Sequence, residues 1–151
     1  MELKYREATE EDLQFMVDML ADDELGSQRE DVSIPLNPSY LCAFQNITSD
    51  ANNELRIVEI DNEIIGMLQL TFIPYLTHLG SWRCLVEGVR IHKNYRSQGI
   101  GTQIFEWLIE YAKTKNVDIL QLTSDKKRPN ALKFYLGLGF EMTHEGFKLK
   151  L

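Results

Sequence analysis

The sequence has few of the residues that build disulfide frameworks or metal centres. Its 151 residues include 2 cysteines, Cys42 and Cys84, and 3 histidines that share no ligand spacing. Two thiols cannot form the disulfide scaffold of a small secreted domain, and a zinc site needs a set of His and Cys ligands. We therefore expect no metal centre and a reducing compartment. We also expect both thiols to be buried, Cys42 on an apolar helix face and Cys84 in a strand.

Long apolar runs and linkers are also missing. No run approaches the roughly 20 apolar residues of a membrane-spanning helix. The first residues, MELKYREATEED, are acidic and do not resemble a signal peptide. We find no internal repeat and no stretch rich in Pro, Gly and Ser. These features predict a cytoplasmic protein with a single domain over residues 1–151.

Positive charge is scarce in the first part of the chain. Residues 1–63 hold 16 acidic and 4 basic side chains, whereas residues 64–151 hold 7 and 12, for a net charge of −7. An acidic chain of this kind argues against nucleic-acid binding. The division suits an anionic cofactor combined with a cationic substrate, although scattered solvated charges would give the same counts.

Apolar periodicity predicts an α/β chain in the order strand, two helices, three strands, helix, strand, helix, strand. The predicted strands are 3–8, 55–60, 64–72, 82–91, 117–122 and 140–149. The predicted helices run from Thr9 to Leu20, from Pro38 to Ile47, from Ile100 to Ala112 and from Pro129 to Leu136. Residues 22–38 are expected to form an acidic loop, and Asp61-Asn62-Glu63 a hairpin turn.

The most informative stretch is Arg96-Ser97-Gln98-Gly99-Ile100-Gly101-Thr102, between a strand and the long helix. Glycines let a backbone approach a ligand closely, and a helix N-terminus presents free amide groups and the positive end of the helix dipole. The stretch therefore predicts a seat for phosphate or pyrophosphate, although an ordinary loop-to-helix turn can contain the same residues. A bulky residue at Gly99 or Gly101 is expected to cause a large loss of affinity for the bound phosphate group while the fold is retained.

Two further side chains are candidates for chemistry. Strand alternation places Glu87 on the same face as Leu85 and Val89, where burial would raise the pKa of its carboxyl toward that of a useful base. The alternative for Glu87 is a structural ion pair with Arg83 or Arg90. Gly88 beside it is a candidate bulge site. Tyr135 lies near apolar neighbours on its helix, which also fits a half-buried core tyrosine.

Two blocks of the sequence together resemble the GNAT superfamily of acetyl-coenzyme A-dependent N-acyltransferases. The family's coenzyme motif, Arg/Gln-x-x-Gly-x-Gly/Ala, matches Arg96-x-x-Gly99-x-Gly101, and Val89-x-Ile91 precedes it as the family expects. A later family block matches at Ala131, Phe134, Tyr135, Gly139 and Phe140. The resemblance covers essentially the whole chain. It implies a single-domain fold with a mixed central sheet and helices on both faces.

The resemblance also implies acetyl-CoA as co-substrate. Its expected binding residues are Val89, Arg90, Ile91, Arg96, Ser97, Gln98, Gly99, Ile100, Gly101, Thr102, Arg128, Asn130 and Tyr135. One position departs from the family pattern, because Arg128 stands seven residues before Tyr135 where many members have Asn. Asn130 is close but out of register. Arg128 either meets the nucleotide phosphates or belongs to a solvated basic turn.

The implied reaction is direct transfer of an acetyl group to a primary amine of a small molecule or peptide. Glu87 would remove a proton from the amine, directly or through a water, and a backbone amide near Val89 would polarise the carbonyl. Tyr135 would protonate the departing thiolate. The acids Asp22, Asp23, Glu24, Glu30 and Asp31 would cap the acceptor side, which favours a cationic amine. A non-catalytic acyl-CoA-binding sensor, a protein-modifying acetyltransferase and a homodimer are alternatives that the sequence leaves open.

Overall fold

The computed structural model describes residues 2–128 and 130–151. The strands are β1 (Lys4–Glu7), β2 (Asn53–Ile60), β3 (Glu63–Pro74), β4 (Trp82–Ile91) and β5 (Ile119–Gln121). The helices are α1 (Leu13–Ala21), α2 (Glu24–Ser27), α3 (Pro38–Thr48), α4 (Thr77–Gly80), α5 (Ile100–Thr114) and α6 (Ala131–Gly137). Within the described residues, no helix has the length and apolar character that crossing a membrane requires.

The sheet has the strand order β1-β2-β3-β4-β5. Neighbouring strands are antiparallel from β1 to β4, whereas β5 runs parallel to β4. The predicted hairpin joins β2 to β3, where Asp61 and Asn62 have φ angles of +50° and +65°. Two consecutive residues with positive φ angles are typical of a tight hairpin turn, so the local sequence was sufficient to predict this turn.

Helices cover both faces of the sheet, as the resemblance implied. Ile104 and Leu108 of α5 pack with Val58 of β2 on one face. Met16 of α1 and Phe44 of α3 pack with the neighbouring residue Ile57 on the other. Successive strand residues point to opposite faces, so β2 contributes to both clusters. Burying side chains of this size stabilises the fold by roughly 1.5–3 kcal/mol each.

The last pair of strands separates early. β5 pairs with β4 only at Arg83–Ile119, Cys84–Leu120 and Leu85–Gln121. Beyond Leu85, β4 continues to Ile91 and, among the described residues, pairs there with β3 alone. The β3–β4 register also shifts here, because Glu87 lies opposite Gln69 and Arg90 opposite Met67. This is the predicted bulge at Gly88, which has a φ of +59° that side chains rarely adopt. A wedge therefore opens between the far half of β4 and the end of β5.

Three parts of the prediction differ from the structure. The strand expected over Phe140–Leu149 is wrong, because residues 140–151 are in no strand and those after Phe140 are exposed. Its alternating pattern is that of a strand, but a strand needs a neighbouring edge. Cys42 is exposed, not buried, while Cys84 is buried as expected. The acidic loop contains the short helix α2. The expected helix start at Pro129 lies outside the described residues, and α6 begins at Ala131.

A buried carboxylate attaches the start of α1 to the sheet. Asp12 is 6% exposed and accepts hydrogen bonds from two nitrogens of Arg6 on β1, at 2.7 and 2.9 Å. It also accepts from the backbone N–H of Thr9, which completes the predicted capping box. The Arg6 guanidinium holds the pKa of Asp12 below its ordinary value, although burial acts in the opposite direction.

We predict that Asp12→Asn lowers the free energy of unfolding by about 2 kcal/mol at pH 7, since charge-assisted hydrogen bonds are lost. A carboxyl whose pKa is depressed by folding stabilises the native state above its unfolded pKa of about 3.9. That stability is lost as the pH falls through the lower folded value. Urea unfolding of both proteins between pH 2 and 7 should show their difference shrinking in acid. A difference that is constant over this range would contradict the assignment.

Candidate active site

The loop that leads into α5 has the geometry of an anion seat. Ser97 and Gly99 have φ angles of +61° and +77°, which fold the backbone tightly ahead of the helix. The N–H of Gln103 bonds to the carbonyl of Gly99 at 3.2 Å and is the first donor bonded back along the chain. The amides of residues 100–102 therefore precede the helical hydrogen-bond pattern and point out of the helix end. Together with the dipole of the 15-residue helix, they favour a negative group here.

The two motif glycines have different physical roles. A Cβ built at Gly99 meets nothing within 4 Å, and the residue is exposed, so an approaching ligand has room there. A Cβ at Gly101 would lie 3.3 Å from Cζ of Phe134 and 3.5 Å from Cδ1 of Ile91. A side chain at Gly101 would therefore press on the contact between α5 and α6, and the Phe134 ring would have to move by a few tenths of an ångström. The expectation that the fold is retained with a bulky residue at Gly101 stays a prediction.

Arg96 is engaged within the chain. Its Nε donates to the carbonyl of Ile91 at 2.9 Å, and its Nη2 donates to the carbonyl and side chain of Asp22, both at 3.0 Å. These bonds join the end of β4 and the end of α1 to the loop. The arginine thereby fixes the shape of the seat, and a contact between Arg96 and the coenzyme stays a prediction.

Tyr135 lies in an aromatic cluster at the junction of α5 and α6. Its ring is 5.5 Å from that of Phe105, 5.3 Å from Phe134 and 5.9 Å from Phe140, measured between centroids. Burial raises the pKa of its hydroxyl above the ordinary value, and the positive charges of Arg128 and Arg90 oppose this. The phenol is therefore protonated at neutral pH, with two arginines within electrostatic range. The core position and a role as proton donor are compatible.

Glu87 is exposed, so the buried carboxylate expected from strand alternation is wrong. The physical reason is the early end of β5 and the bulge at Gly88, which leave this part of β4 uncovered. The alternative ion pair is not found either, within residues 2–128 and 130–151. Arg83 instead bonds to Gln121 and lies over the ring of Tyr75, and Arg90 faces Asp23. Glu87 remains a carboxylate open to solvent at the mouth of the wedge.

Arg90 and Arg128 share one carboxylate, that of Asp23. Nη1 of Arg128 lies 2.6 Å from Oδ2 of Asp23, and Nε of Arg90 lies 3.8 Å from the same oxygen. The Nε of Arg90 is buried and makes no hydrogen bond to the described residues. Burial, and then repulsion from Arg128, lower the pKa of Arg90. Although burial opposes it, the Gly26 N–H and Arg128 lower the pKa of Asp23. The cluster thus carries two positive charges and one negative charge.

Sequence reasoning missed the partners of these arginines. Asp22 and Asp23 were expected to face a cationic acceptor, but they pair with Arg96 and Arg128. The separation of Asp23 from Arg128 by 105 residues hides the pair from any local pattern. The charge asymmetry between the two halves was the one available signal. Asn130 is exposed at the N-terminal end of α6, where its side chain makes no capping bond.

Comparison with known proteins identifies the class and then the family. A five-stranded mixed sheet with a β4–β5 wedge and an anion seat at a helix start is typical of coenzyme A-dependent acyltransferases. The sequence matches the acetyltransferase (GNAT) family over residues 14–140. The chain belongs to this family.

Three similar proteins illustrate the match. An aminoalkylphosphonate N-acetyltransferase of Salmonella typhimurium is 29% identical over 98 residues, or 65% of this chain and 63% of that protein, so the match spans less than two thirds of the relative. A crystal structure described as a transcriptional regulator from Bacillus halodurans C-125 is 53% identical, with a TM-score of 0.94 over 99% of this chain and 100% of that one. A predicted acetyltransferase with acetyl-CoA from Clostridium acetobutylicum shares the fold, with 23% identity and a TM-score of 0.73 over 99% and 96% of the two chains.

We predict that Gly99→Ala weakens coenzyme A binding about tenfold or more, because a methyl group enters the seat and charge-assisted hydrogen bonds are worth roughly 1.5–3 kcal/mol. Stability should fall by about 1–2 kcal/mol, the cost of a side chain in left-handed backbone. Calorimetric titration and thermal unfolding measure the two effects.

Two further variants serve as references for Gly99→Ala. Gly80→Ala is the matched control, because Gly80 has a φ of +72° outside the loop and should lose stability but not affinity. Gly101→Val should lose both, since it displaces Phe134. If Gly99→Ala binds coenzyme A as tightly as the unaltered protein, the seat lies elsewhere.

Proposed function

We propose that this acyltransferase moves an acetyl group from acetyl-CoA directly to a primary amine of a small molecule. The observation that carries the proposal is the β4–β5 wedge, which has an anion seat at its wide end and a protonated tyrosine on the adjoining helix. The described relative from Salmonella acts on an aminoalkylphosphonate, which supports an amine acceptor.

The chain's own residues fit the coenzyme. The pyrophosphate would take the amides at the start of α5, where Gly99 leaves open space. The pantetheine arm would lie along the β4 edge that β5 leaves unpaired, near Val89 and Ile91. Arg128 and Asn130, which are among the expected coenzyme-binding residues, lie just before α6. Bound there, acetyl-CoA would supply the activated acetyl group as a thioester.

Two side chains would transfer the protons that the reaction requires. A free alkyl amine with a pKa of about 10.4 is protonated at neutral pH and must lose a proton before it can attack. Glu87 is the carboxylate at the wedge and would accept that proton, directly or through a water, from a solvent-exposed position. Tyr135, which burial keeps protonated, would donate a proton to the departing sulfur. Most of the acceleration would come from holding the amine and the thioester together.

The charge that we propose for the acceptor differs from the cationic one expected from the sequence. Two of the five acids expected to attract a cation are neutralised by Arg96 and Arg128. Arg90 and Arg128 together carry one positive charge more than Asp23 balances. We therefore propose an acceptor that bears an anionic group beside its amine, held through Arg90.

Tyr135→Phe should lower kcat by about 10²–10⁴-fold, the usual contribution of a general acid, while the Kd for coenzyme A changes little. The ring and its packing are retained, so the melting temperature should change little. Tyr5→Phe is the matched control, because Tyr5 is a partly buried tyrosine whose ring stacks on that of Trp107 in α5. A Tyr135→Phe enzyme with normal turnover, where chemistry limits the rate, would leave Tyr135 a core residue only.

An acceptor screen tests the substrate proposal. We expect the kcat/KM for an aminoalkylphosphonate to exceed that for the alkylamine of equal length by roughly 10–100-fold, the value of one charge-assisted hydrogen bond. Arg90→Gln should narrow this ratio, whereas Lys93→Gln, at an exposed residue, should not. The reaction is followed by measuring the release of the free coenzyme A thiol and the mass of the acetylated product. Faster turnover of a polyamine than of either compound would instead support the cationic acceptor.

A further inference from the structure

A short acidic segment follows α1 and lies beside the wedge. We name residues 22–30 the acidic strap, because four of its nine residues are acidic. Both ends of the acidic strap are held by hydrogen bonds. Asp22 accepts one from Arg96 at 3.0 Å, and Glu30 accepts one from the hydroxyl of Tyr40 on α3 at 3.1 Å. The part between these ends, which includes α2, is therefore positioned from both sides.

The backbone of the acidic strap holds one carboxylate, that of Asp23, toward β4. Asp23 caps α2, because its Oδ1 accepts a hydrogen bond from the N–H of Gly26. Gly26 is buried, and a Cβ at this position would collide with the carbonyl oxygen of Leu20. Only glycine therefore fits the turn that places this N–H on Asp23. One oxygen of Asp23 is thus fixed by the turn, while the other, Oδ2, faces Arg90 and Arg128.

The Oδ2 atom of Asp23 does not satisfy both guanidinium groups. It lies 2.6 Å from Nη1 of Arg128 but 3.8 Å from Nε of Arg90, which is beyond hydrogen-bond distance. The Nε of Arg90 is buried without a hydrogen bond to the described residues, and its Nη1 donates to the carbonyl of Val89. A buried donor without an acceptor is unfavourable. The two arginines therefore present more donors and more charge than Asp23 can match.

A tetrahedral anion would match the two arginines better than Asp23 does. A phosphonate carries three oxygen acceptors, as a phosphoryl group does, whereas Asp23 offers one oxygen to both arginines. Guanidinium groups bind such oxygens through paired N–H donors. The anion and Asp23 cannot share the position, because like charges a few ångströms apart repel each other. An anionic group therefore binds between the arginines only when Asp23 has moved away.

We propose that Asp23 is a specificity-determining residue, which occupies the anion position beside Arg90 in the empty protein and is displaced by the anionic group of the acceptor. This inference rests on the proposed anionic acceptor and adds a second residue that decides which acceptors bind. An amine without an anionic group leaves Asp23 in place and gains nothing from the arginines. An anion that contacts both arginines replaces the contacts of Asp23, so the carboxylate selects against weaker ligands.

Calorimetric titration of the full chain with aminomethylphosphonate tests the role of Asp23. The protein is first saturated with coenzyme A, which has no acetyl group to transfer, so binding is measured without turnover. Asp23→Asn should bind the phosphonate about tenfold tighter or more than the unaltered protein, because no charged carboxylate has to be displaced. Ethylamine, which has no anionic group, should show no such gain. Equal or weaker phosphonate binding by Asp23→Asn would overturn the proposal.

The acidic strap offers a matched control for Asp23→Asn. Glu24→Gln removes the same charge from the next residue, which is exposed, and should change the Kd for aminomethylphosphonate by less than about threefold. Asn caps a helix as well as Asp does, so circular dichroism should be unchanged in both variants. The melting temperature of Asp23→Asn should change little, because its ion pairs are partly exposed. Equal gains in affinity from the two variants would mean that net charge alone is responsible, which contradicts the proposal.

Arg90→Gln distinguishes a failure of this inference from a failure of the proposed function. It should weaken the binding of aminomethylphosphonate, and Asp23→Asn should then add little, because the two residues act at one position. If Arg90→Gln binds the phosphonate as well as the unaltered protein does, the anionic acceptor is wrong, and this inference with it. If Arg90→Gln weakens binding but Asp23→Asn does not strengthen it, the anionic acceptor stands and the role of Asp23 is refuted. Tighter binding of coenzyme A itself by Asp23→Asn would also refute that role, because Asp23 would then compete with a phosphate of the coenzyme.

Discussion

The early separation of β4 from β5 is the constraint on which the candidate site depends. Pairing between them stops at Leu85–Gln121, so the far half of β4 has an edge with no strand partner within residues 2–128 and 130–151. The bulge at Gly88 then turns this half relative to β3. The two helices beside the wedge come next in the chain after these strands, α5 after the loop that follows β4 and α6 after the loop that follows β5. The anion seat and Tyr135 are therefore brought together by strand ends, a common origin of sites in α/β proteins.

Ion pairs hold the segment after α1 against the wedge. Asp22 bonds to Arg96 in the loop before α5, and Asp23 bonds to Arg128 before α6. Each pair is partly exposed, so its direct contribution to stability is small. Its effect is on position and charge, because the two acids neutralise arginines that would otherwise attract anions. The excess of acid in residues 1–63 thus meets part of the excess of base in residues 64–151 within the protein.

Local signals explain which elements the sequence could predict. Asp61-Asn62 dictates its turn, Pro38 begins α3, and Gly88 marks the bulge, because each acts through its own backbone preferences. The exposure of Glu87 could not be predicted in this way, since it depends on where β5, a distant strand in the sequence, ends. The same holds for Cys42 and for residues 140–149. Periodicity indicates that a face prefers burial, but only the neighbours in space determine whether it is covered.

Tyr135 shows why a core interpretation and a catalytic interpretation need not compete. Its ring packs against Phe105 and Phe134 and so helps to fix α6 on α5. The same packing removes water from the hydroxyl, and this burial raises its pKa. A phenol that must deliver a proton to a thiolate has to stay protonated until the sulfur departs, and it must be held in one place to reach it. Burial supplies both conditions, so the aromatic cluster that makes Tyr135 a core residue is what would make it a usable acid.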